Sequence, residues 1–303
     1  MPQKPDIIVI AINQKFFEHL KALLGSIFIN WPNSPDIVVY AHPDLTQESI
    51  IYLSNFKKVS VKHYNPKELK FYKLVQQGIT YFKSKDFIET GYFSLHLFSE
   101  DFNNYKNLLF LDADTLVLKP LDELLQETKF FICSANNARL LPYFNISQAQ
   151  PKKSLLIGYW LFKLLQFGIL PKPFVSANSG VMVIPEKLRD GNHEREILAI
   201  LKQFQSVCSS DQEIILLYAM KHKIEISKDY RFNFQIRFFN LISQSSSTKK
   251  ELLKASNEIK VLHFNGPKPD AVSFETHPWT IGQNFWKQQY YHYKEALNQF
   301  ISR

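Results

Sequence analysis

Asn107-Leu108-Leu109-Phe110-Leu111 runs without a break into Asp112-Ala113-Asp114. A short apolar run of this kind, closed by polar residues, reads as a strand buried on both faces. Here the strand ends on two carboxylates one residue apart. After them, Thr115 to Leu118 is extended again, and Pro120 stops it.

The same kind of strand recurs on either side. Asp6 to Ile12, Asp36 to Ala41 and Val59 to His63 are β-branched runs upstream. Between them, Lys15 to Ile29 has helical spacing, with Phe16, Leu20, Leu23, Leu24 and Ile27 on one face. Thr46 to Leu53 is a second helix, capped by Thr46. Downstream, Phe130 to Ser134, Val181 to Ile184 and Ile259 to His263 read as strands. Glu196 to Phe204 and Asp211 to Met220 read as helices, and Ser243 to Ser247 as a surface loop. Strand alternating with helix predicts an α/β fold with a mostly parallel sheet flanked by helices. Such sheets bind ligands at the carboxyl ends of their strands. Asp112, Asp114 and His263 all fall at such ends.

The 303 residues are 45% hydrophobic, 21% charged and 15% aromatic, enough for one sizeable core and too apolar for a disordered chain. Net charge is +8 and the isoelectric point about 9.2. No zinc-finger spacing and no long Lys/Arg run accompanies that charge, so nucleic acid is not an expected partner. Phosphorylated substrates and anionic membranes remain as explanations. Cys133 and Cys208 are too few for a disulfide scaffold and predict core thiols in a reduced compartment. The N-terminal apolar run is too short for a signal peptide, so the expected location is cytoplasmic. Asn145-Ile146-Ser147 is a formal glycosylation triplet that carries no weight without an export signal.

Two adjacent anions raise each other's pKa unless a positive charge lies between them. A divalent cation bridged to phosphate oxygens is one solution; a polar turn that merely closes the strand is the alternative. His263 can add a neutral imidazole to two carboxylates, as a Mn²⁺-type site needs. It opens His263-Phe264-Asn265-Gly266-Pro267-Lys268-Pro269, in which Gly266 permits close backbone approach and Lys268 can reach a phosphate.

LFLDADTLVLKPLDELL, SANSGVMVIP, SDQEIILLYA and VLHFNGPKPD occur in that order. Together they resemble family 8 glycosyltransferases, the retaining enzymes of the glycogenin and bacterial lipopolysaccharide galactosyltransferase type. The resemblance runs from about residue 6 to residue 270. It implies a GT-A-type catalytic domain over 1–270, with a mixed, mostly parallel sheet flanked by helices, and 271–303 as a helical extension. It implies a UDP-sugar donor with Mn²⁺ or Mg²⁺ held by Asp112, Asp114 and His263. Ala113 matches a residue near the ribose, and Ala11, Ile12 and Asn13 match the start of the uridine pocket. Phe17 matches a ring near the uracil, and Gly266 and Lys268 match the diphosphate grip. Asn178 matches a residue facing the donor sugar, and Asp211 and Gln212 match the reacting face.

Two positions depart from that pattern. Where the family carries Lys or Arg upstream of the acidic triplet this chain has Ser94, so the cation is either missing or supplied elsewhere, with Lys83 and Lys85 as the candidates. Asp270 replaces the usual aromatic after Lys268-Pro269.

Residues 151–174, PKKSLLIGYWLFKLLQFGILPKPF, are apolar over too short a length to span a bilayer. They read as a buried helix or as an interfacial segment near the acceptor. Phe285 to Arg303 reads as a basic aromatic helix that packs on the domain or docks on a membrane. Together with the charge, these segments predict a peripheral protein meeting a saccharide, glycolipid or lipopolysaccharide-type acceptor at the inner membrane face. A nucleotide-sugar pyrophosphorylase would need a glycine-rich basic loop after the first strand, and Ala11-Ile12-Asn13-Gln14-Lys15 is not one. A non-catalytic sugar-nucleotide binder of the same fold is the other alternative.

Overall fold

The computed structural model describes residues 4–78, 89–126, 129–134, 177–204, 210–236, 257–265, 268–269 and 284–301. Lys83, Lys85, Asn145, the 151–174 segment, Cys208, Gly266 and Asp270 lie outside these. The strands are β1 (Ile7–Ile12), β2 (Asp36–Ala41), β3 (Val59–His63), β4 (Asn107–Leu111), β5 (Thr115–Val117), β6 (Phe131–Ser134), β7 (Ala177–Pro185), β8 (Phe234–Gln235) and β9 (Val261–His263). Six form one sheet in the order β3-β2-β1-β4-β7-β6. β1 is parallel to β2 and β4, and β2 to β3, while β7 runs antiparallel to β4 and β6. The sheet is therefore mixed and mostly parallel.

Alternation along the strands explains why they read as unbroken apolar runs. Ile7 and Val9 of β1, Leu108 and Phe110 of β4 and Met182 and Ile184 of β7 enter one core. Ile8, Ile10 and Ile12, Leu109 and Leu111, and Val181 and Val183 enter the other. Helices cover both faces. Along α1 (Phe17–Asn30), Leu20, Leu23, Leu24 and Ile27 are fully buried, as their spacing requires. α2 (Gln47–Ser54) is capped by Thr46, whose Oγ1 accepts from the Ser49 amide at 3.3 Å. α3 is Tyr72–Gly78, α4 Phe93–His96 and α5 Asp122–Gln126. α6 (Asn192–Phe204) and α7 (Asp211–Lys221) pack as a pair, with α7 against β7. α6 starts earlier than its apolar spacing predicts, because Asp190 Oδ1 accepts from the Asn192 and His193 amides and opens the helix there. Cys133 is buried in the core, as expected.

The C-terminal helix α8 (Asn284–Ala296) lies along α1. Trp286, Tyr290 and Tyr293 are buried, so these rings pack on the domain rather than offering a membrane face. The Asn30 amide donates to the Tyr293 hydroxyl at 2.9 Å, and His19 Nδ1 shares a 2.9 Å hydrogen bond with the Tyr290 hydroxyl. Gly25 makes the approach possible, since a Cβ there would lie 2.8 Å from the Tyr293 carbonyl carbon. Gly25→Ala is expected to cost about 1–3 kcal/mol by overpacking a backbone that cannot easily move. An unchanged midpoint in chemical denaturation would contradict that. Among the described residues no helix is long and apolar enough to cross a membrane.

β5 does not continue in the main sheet. After Asp112-Ala113-Asp114 the chain enters a three-stranded sheet ordered β5-β9-β8. β5 pairs antiparallel with β9, with Thr115 opposite His263. The acidic triplet is therefore the crossing between two sheets, and the register brings His263 to it.

Candidate metal and donor site

Asp112, Asp114 and His263 each offer a ligand atom, and these atoms lie within 4.8 Å of one another. His263 Nε2 is 3.3 Å from Asp114 Oδ1 and 3.7 Å from Asp112 Oδ2. Asp114 and His263 are buried, while the Asp112 side chain keeps 35% of its surface open. The site is thus closed behind and open on the Asp112 side. Backbone hydrogen bonds hold the crossing. The Asp112 amide donates to the Gly180 carbonyl, and the Phe264 amide to the Asp114 carbonyl, both at 2.9 Å. The Thr115 hydroxyl donates to the Asp112 carbonyl at 2.8 Å.

Lys268 Nζ forms an ion pair with Asp114 Oδ2 and donates to the Phe264 carbonyl at 2.9 Å. Burial alone would raise the Asp114 carboxyl, but Lys268 and His263 outweigh it and hold it well below the usual carboxylate range. Asp112 goes the other way. Burial, the charge of Asp114 and the more distant charge of Asp211 push it up against the opposing pull of His263 and Lys268. One carboxylate is thus ionised and anchored. The other is held above the usual carboxylate range on the open side of the site.

A relay of hydrogen bonds orients the His263 ring. The Gly180 amide donates to Asn178 Oδ1 at 3.0 Å, which fixes the Asn178 side chain. Asn233 Nδ2 then donates to Asn178 Oδ1 at 2.6 Å, leaving Asn233 Oδ1 to accept from His263 Nδ1–H at 2.9 Å. This network places a proton on Nδ1 and turns Nε2 toward the two carboxylates, the nitrogen that would take a metal ion there. Two oxygen donors and one imidazole suit Mn²⁺ or Mg²⁺, and an outer hydrogen bond that orients the imidazole is usual for a metal ligand.

Asn233 was not anticipated from the sequence. Phe232 and Phe234 alternate with the buried polar Asn233 and Gln235, a period-2 signal in a stretch too short to stand out. Asn233→Leu is expected to lower Mn²⁺ affinity about 10–100-fold while the chain stays folded. Mn²⁺ titration by calorimetry measures it, and wild-type affinity would remove Asn233 from the site.

Asn178 sits in the centre of this relay, 1% exposed. Asp211 is buried at the start of α7, where Ser94 Oγ donates to its Oδ2 at 2.7 Å and Ser179 Oγ at 2.8 Å. The position at which a cation was expected is therefore occupied by a serine that bonds directly to Asp211. Gln212 follows on α7, half-buried. Ala113, the middle residue of the triplet, is buried in the core. At the end of β1, Ala11 is half-buried and Ile12 lies in the core. Asn13 caps the following 3-10 turn (Gln14–Phe16) by accepting from the Phe16 amide at 3.3 Å. Phe17 is directed into the core against Tyr52. The ring brought toward the site is Phe16, whose centroid is 5.6 Å from Lys268 Nζ. That turn places the start of α1 two residues later than the apolar spacing predicts.

No protein-family model and no curated protein matches the sequence. Solved structures do. An active-site mutant of LgtC, a glutamine-to-glutamate change, superposes with a TM-score of 0.63 at 16% identity, covering 97% of this chain and 95% of that one. The galactosyltransferase LgtC in complex with donor and acceptor sugar analogues gives 0.60 at 16% identity, with the same coverage. Mouse xyloside xylosyltransferase 1 gives 0.54 at 14% identity, covering 88% of this chain and 100% of that one. These likenesses establish a GT-A glycosyltransferase fold.

Proposed function

We propose that the protein is a retaining, divalent-metal-dependent glycosyltransferase that moves a hexose from a UDP-sugar to a saccharide or glycolipid acceptor. The observation that carries this reading is the convergence of Asp112, Asp114 and His263 where two sheets meet, with Lys268 paired to Asp114. The solved galactosyltransferase with donor and acceptor sugar analogues supports sugar donor and acceptor as the ligand class.

Asp112, Asp114 and His263 would hold Mn²⁺ or Mg²⁺. When bound, the cation offsets the charge that builds on the diphosphate as the sugar–phosphate bond breaks. Lys268 adds a fixed positive charge at the same end, its ammonium held by Asp114 and the Phe264 carbonyl. Gly266 would let the backbone approach the diphosphate. Ala11, Ile12, Asn13 and Ala113 would form the floor of the nucleoside pocket, with the Phe16 ring, rather than Phe17, beside Lys268. An oxocarbenium-like sugar is stabilised by a carboxylate or an amide on its open face. Asp211, fixed by Ser94 and Ser179, and Gln212 are assigned that role, with Asn178 orienting His263 behind them. The alternative is a sugar-nucleotide binder without turnover, favoured by the serine at position 94.

UDP release measured with Mn²⁺ across a panel of UDP-sugars separates the two. Release that depends on both metal and acceptor supports the transferase. Donor binding without release under any acceptor supports the binder. An anionic membrane surface belongs to the same reading through the +8 charge. Failure to co-sediment with anionic liposomes at low salt removes it.

A further inference from the structure

A second cluster of metal-ligating side chains lies outside this site. His193 and Glu196 are three residues apart on α6 and so share a face. His222 follows the last residue of α7 and meets them from the neighbouring helix. One donor atom from each lies within 4.8 Å of the others. His222 Nε2 is 2.7 Å from Glu196 Oε2, and the two imidazole centroids are 5.4 Å apart. All three side chains reach solvent in part.

The Tyr218 hydroxyl is an independent sign of a built site. Tyr218 is fully buried, and its hydroxyl lies 2.8 Å from His193 Nδ1. A partner on Nδ1 fixes the ring and leaves Nε2 as the nitrogen open to an ion. Tyr218 also packs against the His222 ring, with centroids 4.6 Å apart. One buried residue therefore sets both imidazoles.

We infer that His193, Glu196 and His222 form a second metal site, selective for Zn²⁺ or a similar imidazole-preferring ion, that ties α6 to α7. Two imidazoles and one carboxylate suit Zn²⁺, while Mg²⁺ and Mn²⁺ prefer oxygen-rich sets. In a tetrahedral site with bonds of 2.0–2.1 Å, ligand atoms lie about 3.3 Å apart. The His222–Glu196 contact must open slightly and the third ligand must close in, which surface side chains allow. Lys221 Nζ pairs with Glu196 Oε1 and competes for the carboxylate. The site is remote from the donor site, because α7 carries Asp211 at its other end, about 16 Å away along the helix. The inference does not depend on the proposed activity.

Calorimetric titration of the full chain with Zn²⁺, under saturating Mn²⁺ that occupies the other site, tests it. Wild type is expected to take up one further Zn²⁺. His193→Ala and His222→Ala should each weaken that uptake more than about tenfold. Lys221→Met should tighten it several-fold by removing the competing ammonium, and it remains informative if an alanine variant does not fold. An isotherm that is the same in wild type, both alanine variants and Lys221→Met overturns the site. So does Zn²⁺ uptake that is lost only in Asp114→Asn.

Discussion

Asp114→Asn is expected to reduce Mn²⁺-dependent UDP release by roughly 10³-fold, the scale for removing a charge that stabilises the leaving group. The residue is 7% exposed, and its two oxygens face different partners, Oδ1 toward His263 and Oδ2 toward Lys268. Asparagine keeps the shape but puts an amide where an anion stood. It cannot anchor a divalent ion, and it frees Lys268 from its fixed position. The cost in stability should stay near 1.5–3 kcal/mol, about that of a lost charged hydrogen bond, because the Lys268 side chain is 23% exposed and can turn to water. Thermal melting of the variant therefore accompanies the activity assay. A folded variant that still releases UDP at the wild-type rate would mean that Asp114 is not a ligand. A folded variant that loses donor binding, in a protein whose wild type binds but never releases UDP, would favour the binder.

Gly180→Ala is expected to damage both stability and the site, by a different route. A Cβ on Gly180 would press against the Cε1–Nδ1 edge of the His263 ring, 2.7 Å from Nδ1, and lie 2.9 Å from Asn178 Oδ1. Real side chains do not approach that closely, and β7 is held on both sides by β4 and β6. The imidazole must therefore move, and its hydrogen bond to Asn233 goes with it. Overpacking of this kind costs about 1–3 kcal/mol. Losing the orientation of a ligand lowers metal affinity about 10–100-fold. Denaturation midpoint and Mn²⁺ titration measured on one sample should both fall. A loss of stability with full metal affinity would show that the ring relaxes in place and that Gly180 serves packing alone.

The parts that were legible in the sequence share one property: the chemistry lies within a few neighbouring residues. The buried strands of the main sheet announced themselves because both faces of each are apolar, and the acidic pair stood out because it interrupts one of them. His263 and Lys268 were legible for the same reason, at the end of a strand and just beyond it. Asn233 was not, because its importance comes from a hydrogen bond to His263 thirty residues away. Ser94 looked like a gap in the expected charge pattern; its role emerges only through Asp211, 117 residues on. Where the Phe16 and Phe17 rings point turns on a 3-10 turn capped by Asn13, which helical spacing cannot register.

The sequence by itself determined the α/β class and the order of the buried strands along the chain, and it singled out the two carboxylates, the imidazole and the lysine of the candidate site. Only the tertiary structure decided that β5 leaves the main sheet to pair with β9, and hence that Asp114 and His263 meet. It also decided which nitrogen of His263 faces the carboxylates. The physical reason is range. Apolar periodicity records what each residue must bury, and burial is a local demand. Strand register and hydrogen-bond tautomers are set by partners far along the chain, and those partners become neighbours only once the two sheets have formed.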